Sequence, residues 1–194
     1  MINHIDVSQA LRRSVCHLYS DLVTRPTGAA VRREIEQQLE VAGNRTLTII
    51  DFSHVGLLDF SCADEVVAKL LLQYCTETAP REGYFVLRGV GEVHLDAIEA
   101  VLERHGLCLV IQTLDGSVRP VGELVESQRR AWEALERLGG PTPERLAEEL
   151  GLNAAETEAL VTALCSRRLA MTLDDGAVVA VGSAALARAR REVQ

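Results

Sequence analysis

Apolar and polar positions along this chain switch between two periods. Thr46 to Phe52, TLTIIDF, saturates with β-branched and apolar residues, the pattern of a central strand. Asp51 closes it, and Leu57 and Leu58 carry the chain back into the core. Beyond Asp59 and Ser61, Val66, Val67, Leu70, Leu71 and Tyr74 recur at three- and four-residue spacing and predict an amphipathic helix. A helix is predicted over Thr27 to Val41, with Val31, Ile35 and Leu39 on one face and Gly43-Asn44 at its end. After a loop at Pro80 to Gly83 come a strand (Tyr84 to Val90), a helix (Glu92 to His105, stopped by Gly106) and a strand (Leu107 to Thr113). Asp115-Gly116 reads as a turn into an edge strand at Val118 to Val121. Upstream, Ser14 to Ser20 reads as a short strand and Asp21 to Pro26 as a turn or extended piece. Alternating strands and helices predict a mainly parallel or mixed sheet with helices packed against it.

The pattern changes near Val121. Trp132, Leu135 and Leu138 mark a helix over Ser127 to Leu138, broken by Gly139-Gly140. Thr142 is placed to cap a second helix with Pro143 at its first position, and Gly151 ends it. Asn153 with Glu156 forms a capping-box signature for a third. Leu169 to Leu173, the turn Asp174-Asp175-Gly176 and Ala177 to Val181 predict a hairpin. Ala184 to Glu192 reads as a short Arg-rich helix. The expected division is residues 1–121 and 122–194.

Ser61 draws attention because it sits where a helix begins, with carboxylates at Asp59, Asp64 and Glu65 around it. Two roles fit those residues. As an N-cap, Ser61 is worth about 1 kcal/mol. As a phosphosite, it would place a phosphate on free helix N–H groups and beside like charges, which suits a binding switch. His54, in the same loop, reads as a solvated histidine or a group that tunes the loop with pH. Cys62 falls in the first helical turn, where a thiol pKa can drop, but the neighbouring carboxylates oppose that.

The stretch from Thr46 to Tyr74 resembles the central segment of STAS domains, found in anti-sigma factor antagonists. There a strand ending in Asp leads to an Asp-Ser-Ser/Thr-Gly-like turn that opens a helix. Asp59-Phe60-Ser61-Cys62 matches at the Asp and at the phosphorylated hydroxyl, and differs at Phe60 and Cys62. The run Ser-Cys-Ala-Asp-Glu-Val-Val-Ala-Lys-Leu is closer to a STAS-like branch that occurs beside histidine-kinase-like ATPases. The resemblance covers about residues 14 to 115 by element order and 46 to 72 by motif. It implies reversible phosphorylation of Ser61 and docking of a partner protein, a histidine-kinase-like ATPase or an anti-sigma factor. Asp59, Ser61, Cys62, Asp64, Glu65 and His54 would then line the docking surface.

The C-terminal segment, with its Leu-Ala-x-x-Leu-Gly-Leu core, resembles a winged helix-turn-helix in spacing. The expected fold class is therefore α/β, a STAS-like mixed sheet with helices plus a C-terminal winged helix. Charge on the third helix argues against DNA. Its first half carries Glu156 and Glu158 and no basic residue, while Arg167 and Arg168 come at the far end and Asp174-Asp175 at the wing tip. Arg167 and Arg168 remain the nucleic-acid candidates. A protein-binding or dimerising winged helix and a DNA reader both stay open, as does a homodimer.

Composition narrows the rest. The chain of 194 residues is 47% hydrophobic and 25% charged, with net charge −8, which opposes broad non-specific nucleic-acid binding. Its 5 cysteines (16, 62, 75, 108, 165) form no Cys-x-x-Cys pair and read as reduced thiols in a cytoplasmic protein. The 5 histidines show no metal-ligand spacing, so neither metal nor cofactor is expected. No membrane span, signal peptide, phosphate-cradling glycine loop or nucleophile elbow is evident, so the chain is not expected to be an enzyme. The functional expectation is a cytosolic bacterial regulator of the anti-sigma factor antagonist, partner-switching type. The alternative is a DNA-binding transcription factor that uses the first module as sensor or dimeriser.

Overall fold

The computed structural model describes residues 2–16, 20–42, 46–75 and 82–182. Five strands form one sheet: β1 (Ile2–Asp6), β2 (Thr46–Asp51), β3 (Gly83–Val90), β4 (Cys108–Thr113) and β5 (Val118–Gly122). They lie in sequential order, β1 to β4 parallel and β5 antiparallel to β4. Between them run α1 (Val7–Ser14), α2 (Arg25–Ala42), α3 (Phe60–Ala63), a π turn (Asp64–Ala68), α4 (Lys69–Tyr74) and α5 (Glu92–His105). After β5 come α6 (Glu126–Leu138), α7 (Pro143–Leu150), α8 (Ala154–Ser166) and a separate hairpin of β6 (Ala170–Thr172) and β7 (Val178–Ala180). The chain is a mixed α/β protein, a multi-strand sheet flanked by helices.

Sequential parallel strands joined by right-handed crossovers put every crossover helix on one face of the sheet. The two cores follow that rule. Ile5, Ile50, Phe85, Leu87, Leu109 and Ile111 point to one face and pack against Leu11, Ile35, Leu70, Ile98 and Leu102 of the crossover helices. Leu47, Tyr84, Val86, Cys108 and Val110 point to the other and pack with Trp132, Leu135, Leu164, Leu169 and Val179. Cover on both faces explains why β2 is buried at every position. Burying each large aliphatic side chain contributes about 1.5–3 kcal/mol. The Trp132 indole N–H donates to Leu169 O at 3.1 Å, so its one polar atom is satisfied in that second core.

The first elements depart from expectation. Ser14 ends α1 rather than opening a strand, and the first strand is Ile2–Asp6. Asp6 caps α1 through the N–H groups of Ser8 (2.8 Å) and Gln9 (3.2 Å). INHID hides its strand character because only Ile5 is buried along it. The alternation in Ser14–Ser20 imitated a strand, yet α1 simply ends at Val15. Residues 17–19 lie outside the described residues, as do Gly43-Asn44 and the expected helix at Ala184 to Glu192.

Candidate functional site

The loop after β2 is tied down before it reaches Ser61. Phe52 N donates to Arg88 O at 2.8 Å, Gly56 N to Ser20 O at 2.8 Å, and Asp59 N to Leu22 O at 2.8 Å. Leu57 N–H finds Asp21 Oδ1 at 3.1 Å. Beneath the loop lies His94, which is buried. Its Nδ1 accepts the Gly91 N–H at 3.2 Å, so the ring proton sits on Nε2, 3.0 Å from Val55 O and 3.3 Å from Gly56 O. Gly89, at φ +71, makes the bulge that shifts β3 register, and a side chain there would strike Ser53.

The helix cap is Asp59, not Ser61. Its carboxylate accepts the Cys62 N–H at 2.8 Å, so the helix begins at Phe60 and Ser61 occupies the second helical position. The half-buried Ser61 hydroxyl donates to Asp59 Oδ1 at 2.9 Å and lies 3.2 Å from Oδ2. One carboxylate thus caps the helix and orients the hydroxyl. Val23, Leu57 and Phe60 are exposed on this segment and the strand-like piece it pairs with, and the Arg104 guanidinium stacks 5.7 Å from the Phe60 ring centre.

Three residues expected on the docking surface point inward. Cys62 is fully buried and donates its thiol to Thr24 O at 2.9 Å. Burial, then the Asp59 charge, push that thiol up to about 11, which removes the thiolate a redox role needs. The Cys62 Cα also lies 2.9 Å from where a Cβ on Gly28 would stand, so the start of α2 packs tightly on α3. Asp64 and Glu65 are turned in by the π turn, in which Lys69 N bonds Asp64 O.

Those two carboxylates anchor an ion network. Arg25 Nη1 bridges Asp64 Oδ2 (2.8 Å) and Glu65 Oε1 (2.9 Å), His105 Nε2 meets Asp64 Oδ1 at 2.8 Å, and Arg32 and Lys69 pair with Glu65. Burial opposes ionisation of both acids. Arg25 and His105 at Asp64, and Lys69, Arg25 and Arg32 at Glu65, outweigh it and hold both carboxyls below their usual range. A phosphate on Ser61 would thus meet Asp59 as its nearest uncompensated carboxylate, rather than three.

His54 is exposed. Asp6 and Asp51 stand in one register row with Arg88 and Gln112 across the sheet. Asp51 bonds the Ser53 hydroxyl (2.6 Å) and N–H (2.9 Å) and pairs with Arg88, a turn and sheet anchor.

Both nucleic-acid candidates face the sheet. Arg167 donates Nε to Cys108 Sγ at 3.1 Å and Nη2 to Gly106 O and Glu123 O. Arg168 reaches Glu82 at 3.3 Å and lies 5.8 Å from the Tyr84 ring centre. These contacts join the end of α8 to the sheet. Sequence reasoning missed His94, Arg25, Arg32 and His105. Their partners in the Ser61 segment and the loop before it lie 33 to 41 residues away in sequence, so no local spacing could mark these contacts.

Among the described residues no His, Cys, Asp and Glu side chains cluster to hold a metal ion, and no helix is long and apolar enough to cross a membrane. A scan against protein-family models finds no match, and a search of curated proteins finds no relative. Fold and site define a class and no more: a mixed α/β protein with a hydroxyl held at the start of a helix.

Proposed function

We propose that this protein is a cytosolic bacterial regulator of the partner-switching type, built from a STAS-like domain and a C-terminal winged helix. A histidine-kinase-like ATPase or an anti-sigma factor docks around Ser61, and phosphorylation of Ser61 ends that contact. The observation that carries the reading is the Asp59–Ser61 pair: a half-exposed hydroxyl held by a carboxylate at a helix start, beside exposed Leu57 and Phe60. Because the hydroxyl proton is held by the carboxylate, the Ser61 oxygen keeps its lone pairs for an incoming phosphoryl group. The apolar neighbours supply the contact area, and a phosphate beside Asp59 supplies the repulsion. Arg167 and Arg168, occupied at the sheet, favour this reading over a DNA-binding transcription factor.

Capture on the full chain from its host, read by mass spectrometry, tests it. The expected result is an ATPase or anti-sigma partner and phosphate on Ser61. Ser61→Ala should retain the partner, whereas Ser61→Asp should weaken binding by about 2 kcal/mol or more by calorimetry. Equal affinities for the two variants would refute the switch.

A further inference from the structure

A cavity of about 570 Å³ opens among α7, the first half of α8 and the turn between β6 and β7. That volume falls within the range of small-molecule sites. Its wall is largely apolar, with Leu135, Leu146, Val161 and Val178 contributed by three helices and the hairpin. Its charged lining residues are Glu158 and Asp175, and the described lining holds no arginine or lysine. Asp175 Oδ1 accepts the Ala177 N–H at 2.9 Å, which fixes that carboxylate at the hairpin end of the cavity. Glu158 lies on the exposed side of α8. Thr157, also in the wall, donates its hydroxyl to Asn153 O at 2.9 Å and has no donor left for a ligand.

The surroundings reinforce the sign. Thr142 also borders an adjoining groove lined by Glu144, Arg145, Glu148 and Glu149; Arg137 pairs with Glu149 at 2.6 Å, so three carboxylates stand there against two guanidiniums. Carboxylates around a low-dielectric recess focus a negative potential into it. An anion would meet that field with no fixed cation among the described lining residues. A neutral polar molecule would find few free donors.

We infer that this cavity binds a small lipophilic cation. The apolar body fills the space between Leu146, Val161 and Val178, and the positive centre lies against Glu158 and Asp175. The site is separate from the surface around Ser61 and does not depend on how that surface works. Because the ligand would touch α7, α8 and the hairpin at once, its binding would stiffen the arrangement of those three elements.

Two ions of one shape and opposite charge test the inference: tetraphenylphosphonium and tetraphenylborate, titrated calorimetrically into the full-length protein. Tetraphenylphosphonium should bind saturably at one site, at least about tenfold tighter than tetraphenylborate. Glu158→Gln, at an exposed position, should keep the fold and weaken the cation about fivefold to tenfold. Val161→Trp should fill the cavity and abolish binding. Should Val161→Trp not fold, Glu158→Gln and the ion pair still decide. Equal affinity for the two ions, or binding unmoved by Glu158→Gln, would overturn the proposal. So would a dimer in sedimentation that Val161→Trp dissolves, since the occupant would then be a second copy of the chain.

Discussion

Asp59 and Ser61 can be separated by stability alone, with no partner in hand. Asp59→Ala removes the cap on Cys62 N–H, which costs about 1 kcal/mol. It also leaves the Ser61 hydroxyl without its carboxylate, a charged-acceptor bond at 2.9 Å worth about 0.5–1 kcal/mol at this half-buried site. The sum is about 1.5–2 kcal/mol. Ser61→Ala loses the same side-chain bond but gains up to about 0.5 kcal/mol in helix propensity at the second helical position. Its net cost is about 0.5 kcal/mol or less. With a urea m-value of about 2 kcal/mol/M, the midpoint should fall by about 0.75–1 M for Asp59→Ala and by about 0.25 M or less for Ser61→Ala. Far-UV circular dichroism and Trp132 fluorescence should give coincident curves, because Trp132 reports the second core. The double variant should show a coupling of about 0.5–1 kcal/mol. If Ser61→Ala costs as much as Asp59→Ala, the helix starts at Ser61 and the cap assignment fails.

Acid should unfold the protein from the carboxylate side. Asp6, Asp51, Asp64 and Glu65 all have folded pKa values held below their usual range, so the unfolded chain binds more protons near pH 4. Their contribution is complete above the unfolded values of about 3.9–4.3 and is lost as pH falls through the lower folded values. Urea midpoints should therefore drop below about pH 4.5, and a rise between pH 5 and 3.5 would refute the assignment. Arg168 has φ +58 after α8, a left-handed position that glycine fills without strain. Arg168→Ala should cost about 1 kcal/mol by losing Glu82 and Tyr84 while keeping the strain, and Arg168→Gly should come out near neutral; equal losses in urea unfolding would show that the side-chain contacts alone matter. DNA binding should be weak and salt-sensitive, with Kd on the order of 10 µM or worse near physiological salt. A tight, sequence-selective complex in an electrophoretic shift would restore the transcription-factor reading.

Periodic elements were legible in the sequence because one face of each carries the signal. The capped helices α7 and α8, the hairpin, and β2 through β5 lie where the apolar spacing and the turn residues put them. β1 was illegible because Asn3 and His4 interrupt it and its partner, β2, lies 45 residues on. Ser61 reads as the cap from its place before the helical spacing, but Asp59, two residues earlier, is also an acceptor. Only the backbone shows that Asp59 reaches Cys62 N–H. The inward turn of Asp64 and Glu65 depends on the π turn, which inserts an extra residue into the helical period and so rotates a sequence-derived face. The sequence places two acids beside Ser61; the groups that bond them come from α2, α4 and α5.

The order of the strands bears on how the two ends of the chain relate. A sheet wound sequentially leaves one face without crossover helices, and here that face carries Leu47, Tyr84, Val86 and Val110. Those side chains require cover, and α6, α8 and the hairpin provide it. The same packing brings α8 down on its C-terminal end, where Arg167 meets Gly106 O, directly after His105, which holds Asp64 in the π turn. A continuous run of bonded groups therefore connects the helix bearing Ser61 to α8. Contiguity alone is not coupling. A displacement of the Ser61 helix would act on the His105–Asp64 contact, which adjoins the Gly106 carbonyl that Arg167 bonds. In that geometry the arginines at the end of α8 are joints of the molecule, and the surface that α8 leaves outside is acidic at Glu156 and Glu158.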